Sequence, residues 1–432
     1  MPIRLDNRSA DFKPRFQAFL DAKREASADV ENAVRAIIDD VRGRGDAAVI
    51  EATQKFDRFS VDAGGLRFTP AEIESAVKAC DRKTLDALAF ARDRIEAFHR
   101  RQMPKDERFT DAKGVELGWR WSAVEAVGLY VPGGTAAYPS SVLMNVVPAI
   151  VAGVPRVVMV VPTPDGKILN PLVLAAAHLS GVKEIYRIGG AQAVAALAYG
   201  TASIAPVAKI VGPGNAYVAA AKRLVFGKVG IDMIAGPSEV LVIADKTGNA
   251  EWIAADLLAQ AEHGEDSQSI LITDSEELAN DVERAVEGQL KTLPRGAIAG
   301  ASWRDFGAVI LVGKLDEAAG LADTIAAEHL EIMTADPEGL AGRIRNAGAI
   351  FIGPHTPEAI GDYVGGSNHV LPTARSARFS SGLGVLDFMK RTSILKCGPD
   401  QLRALGPAAM TLGDAEGLEA HARSVGMRLN IR

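Results

Sequence analysis

Short runs of β-branched residues that alternate with helical segments constrain the fold of this chain more than any other feature. A first series begins near Glu125 and contains VGLYV, VVMVV, EIYRIGG, AKIVGPG and GIDMIAG. A second series follows with VLVIAD, SILITD, GAVILVG, LEIMTA and GAIFIG. Strands and helices that alternate in this way predict parallel sheets. The two series therefore predict an α/β protein with two parallel-rich sheets, a cleft between them, and ligands at the carboxyl ends of the strands.

The two ends of the chain depart from this pattern. Residues 1–24 predict a polar N-terminal arm with one amphipathic piece, and helical periods then continue to Arg101, with His99 at a solvated helix end. A loop rich in Gly, Ser and Asn follows Ile360, and helix returns from about Gly398. An apolar stripe in this last segment predicts a helical tail that packs on a partner subunit.

Composition excludes several classes of protein. With 432 residues, 48% of them hydrophobic, the chain can bury a sizeable core. The net charge of −6 gives no basic excess that would attract nucleic acid or an anionic membrane. Cys80 and Cys397 cannot build a disulfide framework and fit a reducing compartment. Because the N-terminus lacks a signal-peptide core and the apolar runs are too short to cross a bilayer, we expect a soluble cytoplasmic protein.

The stretch from Trp252 to Gln268 contains a candidate metal site. Its first half predicts a helix, on which Gln260 and His263 share one face because they lie three residues apart. Gly264 is expected to end this helix in a left-handed conformation. An imidazole and an amide oxygen suit a borderline divalent metal such as zinc, although a histidine in a last helical turn can also serve only as a cation near the helix dipole.

Two other segments offer further ligands. Asp362 introduces the Gly-rich loop and is a plausible third ligand, although aspartate also initiates turns. His421 falls on the apolar stripe between Leu418 and Val425, where an inward-facing imidazole needs a partner. That partner could be a metal or a group at an interface. The spacing of these dispersed residues does not by itself establish a site.

Glu328 and His329 are adjacent at a helix-to-strand junction. Such a pair could supply two proton acceptors with different pKa values. A charged pair that only terminates a helix is an equally good interpretation of the same two residues.

Three glycine-rich turns each follow a strand and lead into a helix: VPGGTAAYP, IGGAQA and VGPGNAYVAAAK. Backbone N–H groups at such helix starts can hold phosphate. None of the three matches G-x-G-x-x-G, and a purely structural role as a tight turn explains them equally well. A dinucleotide would therefore bind outside the usual fingerprint.

From about Val30 to its end the chain resembles the histidinol dehydrogenase family. The similarity is densest in GLYVPGGTAAYPSSVLMNVVPAIVAGV, IGGAQAVAALAYGT, VGPGNAYVAAAKR, DMIAGPSEVLV, DLLAQAEH, AAEHLEI, GDYVGGSNHVLPT and EGLEAHARSV. So many long motifs in one order make the resemblance specific. It implies two incomplete Rossmann-like domains, an N-terminal helical arm, a C-terminal helical tail, and an intertwined homodimer with shared active sites.

The resemblance also implies roles for single residues. It implies one Zn²⁺ per subunit, with ligands Gln260, His263, Asp362 and His421, the last reaching the partner's site. Glu328 and His329 match the two proton acceptors of the family. NAD contacts fall on Tyr130, Gln192 and Asn215. Substrate contacts fall on Ser238, Gln260, His263, His329, Asp362, His369, Glu416 and His421.

The implied domains are an arm (1–24), a discontinuous first α/β domain (25–128 and 239–380), an NAD-binding α/β domain (129–238) and a dimer-forming tail (381–432). The implied reaction is the last step of histidine biosynthesis, the oxidation of L-histidinol to L-histidine in two NAD-dependent steps through a bound aldehyde. His329 would take the hydroxyl proton and Glu328 would activate water. Two alternatives are a sister zinc- and NAD-dependent dehydrogenase that oxidises another polar alcohol to its acid, and a non-catalytic metal-binding protein. The Glu328–His329 pair argues against the second.

Overall fold

The computed structural model describes residues 1–21, 28–133, 138–167, 170–234 and 236–431. The described strands are β1 (Ile3–Asp6), β2 (Glu107–Thr110), β3 (Glu116–Ala123), β4 (Val127–Tyr130), β5 (Val157–Val160), β6 (Glu184–Tyr186), β7 (Lys209–Val211), β8 (Gly230–Ile231), β9 (Glu239–Ala244), β10 (Gln268–Thr273), β11 (Ala308–Leu311), β12 (His329–Met333), β13 (Ala349–Ile352) and β14 (Met389–Lys396). The described helices are α1 (Phe12–Leu20), α2 (Ala28–Arg44), α3 (Asp46–Asp57), α4 (Pro70–Ala79), α5 (Arg82–Arg100), α6 (Pro139–Val151), α7 (Leu172–Leu179), α8 (Gly190–Tyr199), α9 (Ala216–Val225), α10 (Ala250–Ala261), α11 (Glu276–Leu290), α12 (Gly296–Phe306), α13 (Ala318–Ile325), α14 (Pro337–Ala341), α15 (Glu358–Tyr363), α16 (Pro399–Ala415) and α17 (Glu419–Leu429).

Two parallel sheets dominate the fold. The smaller has five strands in the order β6-β5-β4-β7-β8, and the larger has six in the order β1-β11-β10-β9-β12-β13. Apart from β1, both orders follow the same rule, in which the first strand of the series is central and its neighbours follow in chain order on either side. This is the order of a doubly wound half-domain, and it places a switch point beside β4 in one sheet and beside β9 in the other. The predicted fold class is confirmed.

Both faces of each sheet are buried, as parallel sheets require. In β9 the side chains of Val240 and Val242 pack with α10 and α11, while Leu241 and Ile243 pack on the opposite face with α1 and α13. The apolar runs read from the sequence are therefore central strands covered on two sides. No helix in the described part of the chain is long and apolar enough to cross a membrane.

The first residues pack on the six-stranded sheet. β1 pairs in parallel with β11 and forms the outer edge of the six-stranded sheet. Phe12, Phe16 and Phe19 on α1 are buried against the same sheet. The predicted N-terminal helix with its amphipathic piece is thus present as α1, whose apolar side chains fall at helical spacing on one buried face, and the domain bounds 1–24 stay a prediction.

The segment after the first helix packs on the five-stranded sheet. The helices between residues 28 and 100 contribute Val34, Ile38 and Ile95 to the cores of the five-stranded sheet. The predicted division, which joins 25–128 to 239–380, stays a prediction. In the C-terminal region, β14 completes a small antiparallel sheet in the order β14-β3-β2, and α16 packs on α17.

Candidate active site

A cavity of about 310 Å³ lies between the two parallel sheets. The five-stranded sheet lines it with residues that follow β4 and β7, namely Pro132, Gly212, Pro213 and Gly214. The six-stranded sheet lines it with residues at the beginning of β9 and β12, namely Ser238, Glu328 and His329.

The two sheets therefore meet the cavity with opposite ends. We predicted carboxyl ends throughout, which is right for the five-stranded sheet and wrong for the six-stranded sheet. The cause lies in the connection between them. Only residues 232–238 separate the end of β8 from the start of β9. The chain passes through this short connection from the carboxyl end of the first sheet into the amino end of the second, and residues at both ends line the same cavity.

Glu328 and His329 lie at the entrance of β12, and both are buried. Oε2 of Glu328 accepts a hydrogen bond from the backbone N–H of Glu239 at 3.0 Å. Nδ1 of His329 lies 3.1 Å from the backbone carbonyl of the same residue, and a carbonyl can only accept, so Nδ1 carries the proton. Nε2 has no hydrogen-bond partner among the described residues. The pair belongs to a strand in a buried wall, which does not fit the alternative of a charged pair at a helix end.

The surroundings shift the pKa of both groups upwards. Burial raises the pKa of Glu328 to about 7. Burial alone would lower the pKa of His329, but the carboxylates of Glu358, Glu328 and Asp362 outweigh it and raise that pKa well above its usual value. A cation close to the same carboxylates would oppose them and favour the neutral imidazole.

Of the predicted metal ligands, His263 and Asp362 line the cavity, Gln260 lies behind them and contacts His263 and Glu358, and their ligation of a metal stays a prediction. The hydrogen-bond network directs the amide nitrogen of Gln260 to Glu358, whose two carboxylate oxygens accept at 2.6 and 3.1 Å. The amide oxygen of Gln260 then accepts from Nδ1 of His263 at 3.2 Å. Donor atoms of His329, Glu358 and Asp362 all lie within 4.8 Å of one another. The cluster is thus a concentrated set of imidazole and carboxylate donors at the cavity wall.

These residues fit a divalent cation. Burial lowers the pKa of His263 and so favours its neutral form, the form that binds metal. Burial would raise the pKa of Asp362, but His329 outweighs it and keeps the carboxylate ionised. The orphaned Nε2 of His329 lies 3.7 Å from Oδ1 of Asp362, beyond hydrogen-bond distance. Imidazole nitrogens with carboxylate and amide oxygens suit zinc.

Glu358 was missed by the sequence reasoning, although a signal existed. It opens α15 directly after Pro357, and Asp362 lies one helical turn later on the same face. Glu358 is buried, and burial raises its pKa to about 8. Asp362 therefore lies on a short helix, whereas we had expected it in a loop. The helix α10 that carries Gln260 ends at Ala261, and Gly264 does not adopt a positive φ, so that detail was also wrong.

The segment after α15 is tied to helix α5. Arg94 donates to the carbonyl of Val364 at 2.5 Å. Asn368 donates to the carbonyl of Met144 at 2.6 Å and contacts Nε2 of His99 at 3.4 Å. The prediction of a solvated helix end at His99 was wrong, because this imidazole is fully buried and supports the loop.

Five of the eight predicted substrate residues line the cavity, namely Ser238, His263, His329, Asp362 and His369, whereas Gln260, Glu416 and His421 do not. His369 lies 2.9 Å from the carbonyl of Asp362 through Nδ1 and 3.3 Å from Oγ of Ser141 through Nε2. Ser238 lines the cavity directly before β9. Glu416 at the end of α16 and His421 on α17 are exposed in the single chain and do not line the cavity. Their assignments stay predictions that require a second subunit.

The three predicted NAD contacts lie at the end of β4, in the first turn of α8 and at the N-cap of α9, and none of them lines this cavity. Tyr130 is buried, its hydroxyl accepts from Gly190 N–H at 3.0 Å, and burial raises its pKa to about 12. Gln192 is buried in α8. The side chain of Asn215 caps α9. Part of the first turn, residues 134–137, lies outside the described residues.

Comparison with known proteins identifies the family. The family model described as histidinol dehydrogenase matches residues 20–429. The chain is 83% identical over 430 residues to the histidinol dehydrogenase of Nitrobacter winogradskyi and 80% identical over 431 residues to that of Bradyrhizobium diazoefficiens, in each case with 100% of both chains covered. A crystal structure of histidinol dehydrogenase from Elizabethkingia anophelis superposes with a TM-score of 0.94 at 35% identity, covering 99% of this chain and 98% of that one. The chain belongs to the histidinol dehydrogenase family, whose members are oxidoreductases.

Proposed function

We propose that this enzyme oxidises L-histidinol to L-histidine, the last step of histidine biosynthesis, with one Zn²⁺ per subunit and NAD as oxidant. The observation that carries the proposal is the Glu328–His329 pair, buried beside a cluster of metal-type donors at the wall of the cavity. The family relationship names the reaction class, and the pair supplies the acid–base groups that an alcohol oxidation needs.

Gln260, His263 and Asp362 would hold the metal, together with His421 of the partner subunit. A bound zinc ion would supply positive charge that fixes the imidazole and amino nitrogens of the substrate and offsets the carboxylates around His329. The exposed apolar side chains of Leu395, Leu412 and Met427 in the C-terminal region support an intertwined homodimer, because a single chain leaves them in water.

The first step needs a proton acceptor for the alcohol. Nδ1 of His329 is occupied by the Glu239 carbonyl, so Nε2 is the nitrogen that takes the hydroxyl proton while hydride leaves the carbinol carbon for the nicotinamide. The fixed tautomer keeps that acceptor in one orientation. The products of this step are the aldehyde, NADH and one proton.

The second step needs a base for water. A pKa of about 7 suits Glu328 to the removal of a proton from water as it adds to the aldehyde. The resulting hydrate would give up a second hydride to a second NAD and two protons to the acid–base groups and solvent, and would so become the carboxylate. Because the cavity is walled by both sheets, the aldehyde stays enclosed between the two steps.

Purified enzyme tests the proposal directly. With L-histidinol as sole substrate and NAD in excess, we expect about two NADH for each histidine formed, as the stoichiometry of a four-electron oxidation demands. Removal of metal with a chelator should abolish turnover, and Zn²⁺ should restore it. NADH production from another amino alcohol but not from histidinol would reject the assignment. A cytoplasmic location stays a prediction, which cell fractionation would test.

A further inference from the structure

A buried ion pair outside the acid–base cluster is bonded to the turn that follows β7. The side chains of Lys222 on α9 and Asp232 after β8 form an ion pair, and they are 2% and 1% exposed. Both also line the cavity. Neither residue has a role in the steps described above.

The pair satisfies both backbone groups of one glycine. Nζ of Lys222 donates to the carbonyl of Gly212 at 3.0 Å, and Oδ2 of Asp232 accepts from the N–H of Gly212 at 2.8 Å. Oδ1 of Asp232 also accepts from the N–H of Met233 at 2.7 Å. One charge pair therefore determines where the peptide groups on either side of this residue lie.

Gly212 occupies a position that only glycine can take. Its φ is +109°, and a Cβ there would lie 2.2 Å from the carbonyl oxygen of Tyr130 at the end of β4. The turn thus runs against the neighbouring strand at the switch point of the five-stranded sheet, where doubly wound sheets bind their ligands. Its next residues, Pro213 and Gly214, form part of the cavity wall.

Stability alone is a weak reason for such a pair. Two charges pay a desolvation penalty on burial, and well-packed apolar residues of similar volume often serve as well or better. An ion pair with three hydrogen bonds to backbone, by contrast, fixes a backbone conformation that apolar groups cannot fix.

We infer that Lys222 and Asp232 are positioning residues that hold the Gly212–Gly214 turn in the conformation that binds the dinucleotide. This inference rests on the proposed function, since it takes NAD as the ligand of that turn. It assigns the pair to cofactor affinity and not to the acid–base steps, which lie on the other sheet.

Lys222→Met and Asp232→Asn test the inference. Each should raise the KM for NAD about tenfold, the loss expected when hydrogen bonds to a charged group are broken, and NADH affinity measured by fluorescence should fall in parallel. The kcat at saturating NAD, the KM for histidinol and the zinc content should stay close to wild type. Glu184→Gln is the matched control. It breaks a partly buried ion pair with Arg156 at the opposite end of the same sheet, and should leave the KM for NAD unchanged.

A double variant, Lys222→Met with Asp232→Leu, separates positioning from stability. We expect it to unfold at a higher temperature than the single variants, because no buried charge is left unpaired, yet to keep the raised KM. It also serves if a single variant does not fold, because it leaves no unpaired charge. Recovery of both properties in the double variant, or an unaltered KM in the single variants, would overturn the inference. Wild-type enzyme that reduces no NAD with histidinol would instead reject the proposed function, and the inference with it.

Discussion

Apart from β1, the two parallel sheets have the same strand order, but they line the cavity with different chemical groups. The five-stranded sheet gives carboxyl-end turns made of glycine and proline, such as Gly212 and Pro213, which present backbone. The six-stranded sheet gives its amino ends and the nearby helices α10 and α15, which present ionisable side chains such as Glu328 and His329. Backbone surfaces suit a ligand that must be held, whereas imidazole and carboxylate suit bonds that must break.

The difference shows that the strand order of a sheet does not determine which of its ends carries the reactive side chains. The rule that ligands bind at carboxyl ends describes the sheet with the glycine-rich turns. It does not describe the sheet with the acid–base pair, whose position follows from the short connection before β9. Fold alone therefore does not locate the chemistry, and the side chains at each edge have to be examined.

The largest expected effect is at His329, which tests whether the six-stranded sheet carries the acid–base function. We expect His329→Asn to lower kcat by about 10²- to 10⁴-fold, the usual contribution of a positioned general base. The KM for NAD and the zinc content should change little, because those functions belong to other groups. Steady-state NADH production and metal analysis would measure both. His178→Asn, an exposed histidine on α7, is the control. Undiminished turnover would remove His329 from the mechanism.

At Glu328, on the same sheet, we expect the ionised group that activity needs to lower the stability of the fold. Burial raises its pKa from 4.5 to about 7, so the folded protein holds this proton more tightly than the unfolded chain. Ionisation of Glu328 therefore lowers stability as pH rises above 4.5, up to a loss on the order of 3 kcal/mol above pH 7. Glu328→Gln should stabilise the metal-free protein at about pH 8 and have little effect near pH 4.

Urea unfolding at the two pH values would measure this effect, with the exposed Glu338→Gln as control. In the same variant, aldehyde hydration should slow, so that NADH formed per substrate falls towards one. A variant that is less stable than wild type at the higher pH would contradict the burial argument.

His421 tests whether the cavity is complete in one chain. Since the single chain leaves it exposed on α17, the proposal requires it to come from a neighbouring subunit. His421→Ala should weaken zinc binding by about 10- to 100-fold, a range typical of altered metal sites, and leave the fold of each chain intact. Zinc affinity by competition with a chromogenic chelator, with His178→Ala as control, would decide this. Wild-type affinity would show that the six-stranded side binds its metal without the tail.

Much of this site could be predicted from the sequence because its residues stand in long, ordered motifs. The apolar runs predicted the sheets, and the family resemblance implied that Gln260, His263 and Asp362 lie close together. The runs could not show which end of a sheet meets the cavity, because a continuous apolar run is the same in either direction.

Buried polar groups were the least predictable. Lys222 lies in the last turn of the alanine-rich helix α9, where a lysine is normally solvated, and its burial is explained by Asp232 and the Gly212 carbonyl. His99 beside two arginines gave the same false signal. Glu358 was easier to predict than Lys222 or His99, because its spacing from Asp362 was visible in the sequence, although its burial was not. Such contacts depend on tertiary packing, which the spacing of residues along the chain does not show.

The smallest effect should come from the five-stranded sheet, at Tyr130. Tyr130→Phe removes the acceptor for Gly190 N–H but leaves the ring, so we expect the KM for NAD to rise about 3- to 10-fold with kcat unchanged, the effect of one neutral hydrogen bond. Tyr186→Phe is a matched control, since its buried hydroxyl donates to the Ser203 carbonyl at 3.1 Å, away from the cofactor turns. A drop in kcat with an unchanged KM for NAD would assign Tyr130 to the acid–base groups. It would contradict the view that the five-stranded sheet only binds the cofactor. A rise in KM confined to Tyr130→Phe would sharpen it, because a single hydroxyl would then separate holding the cofactor from moving protons.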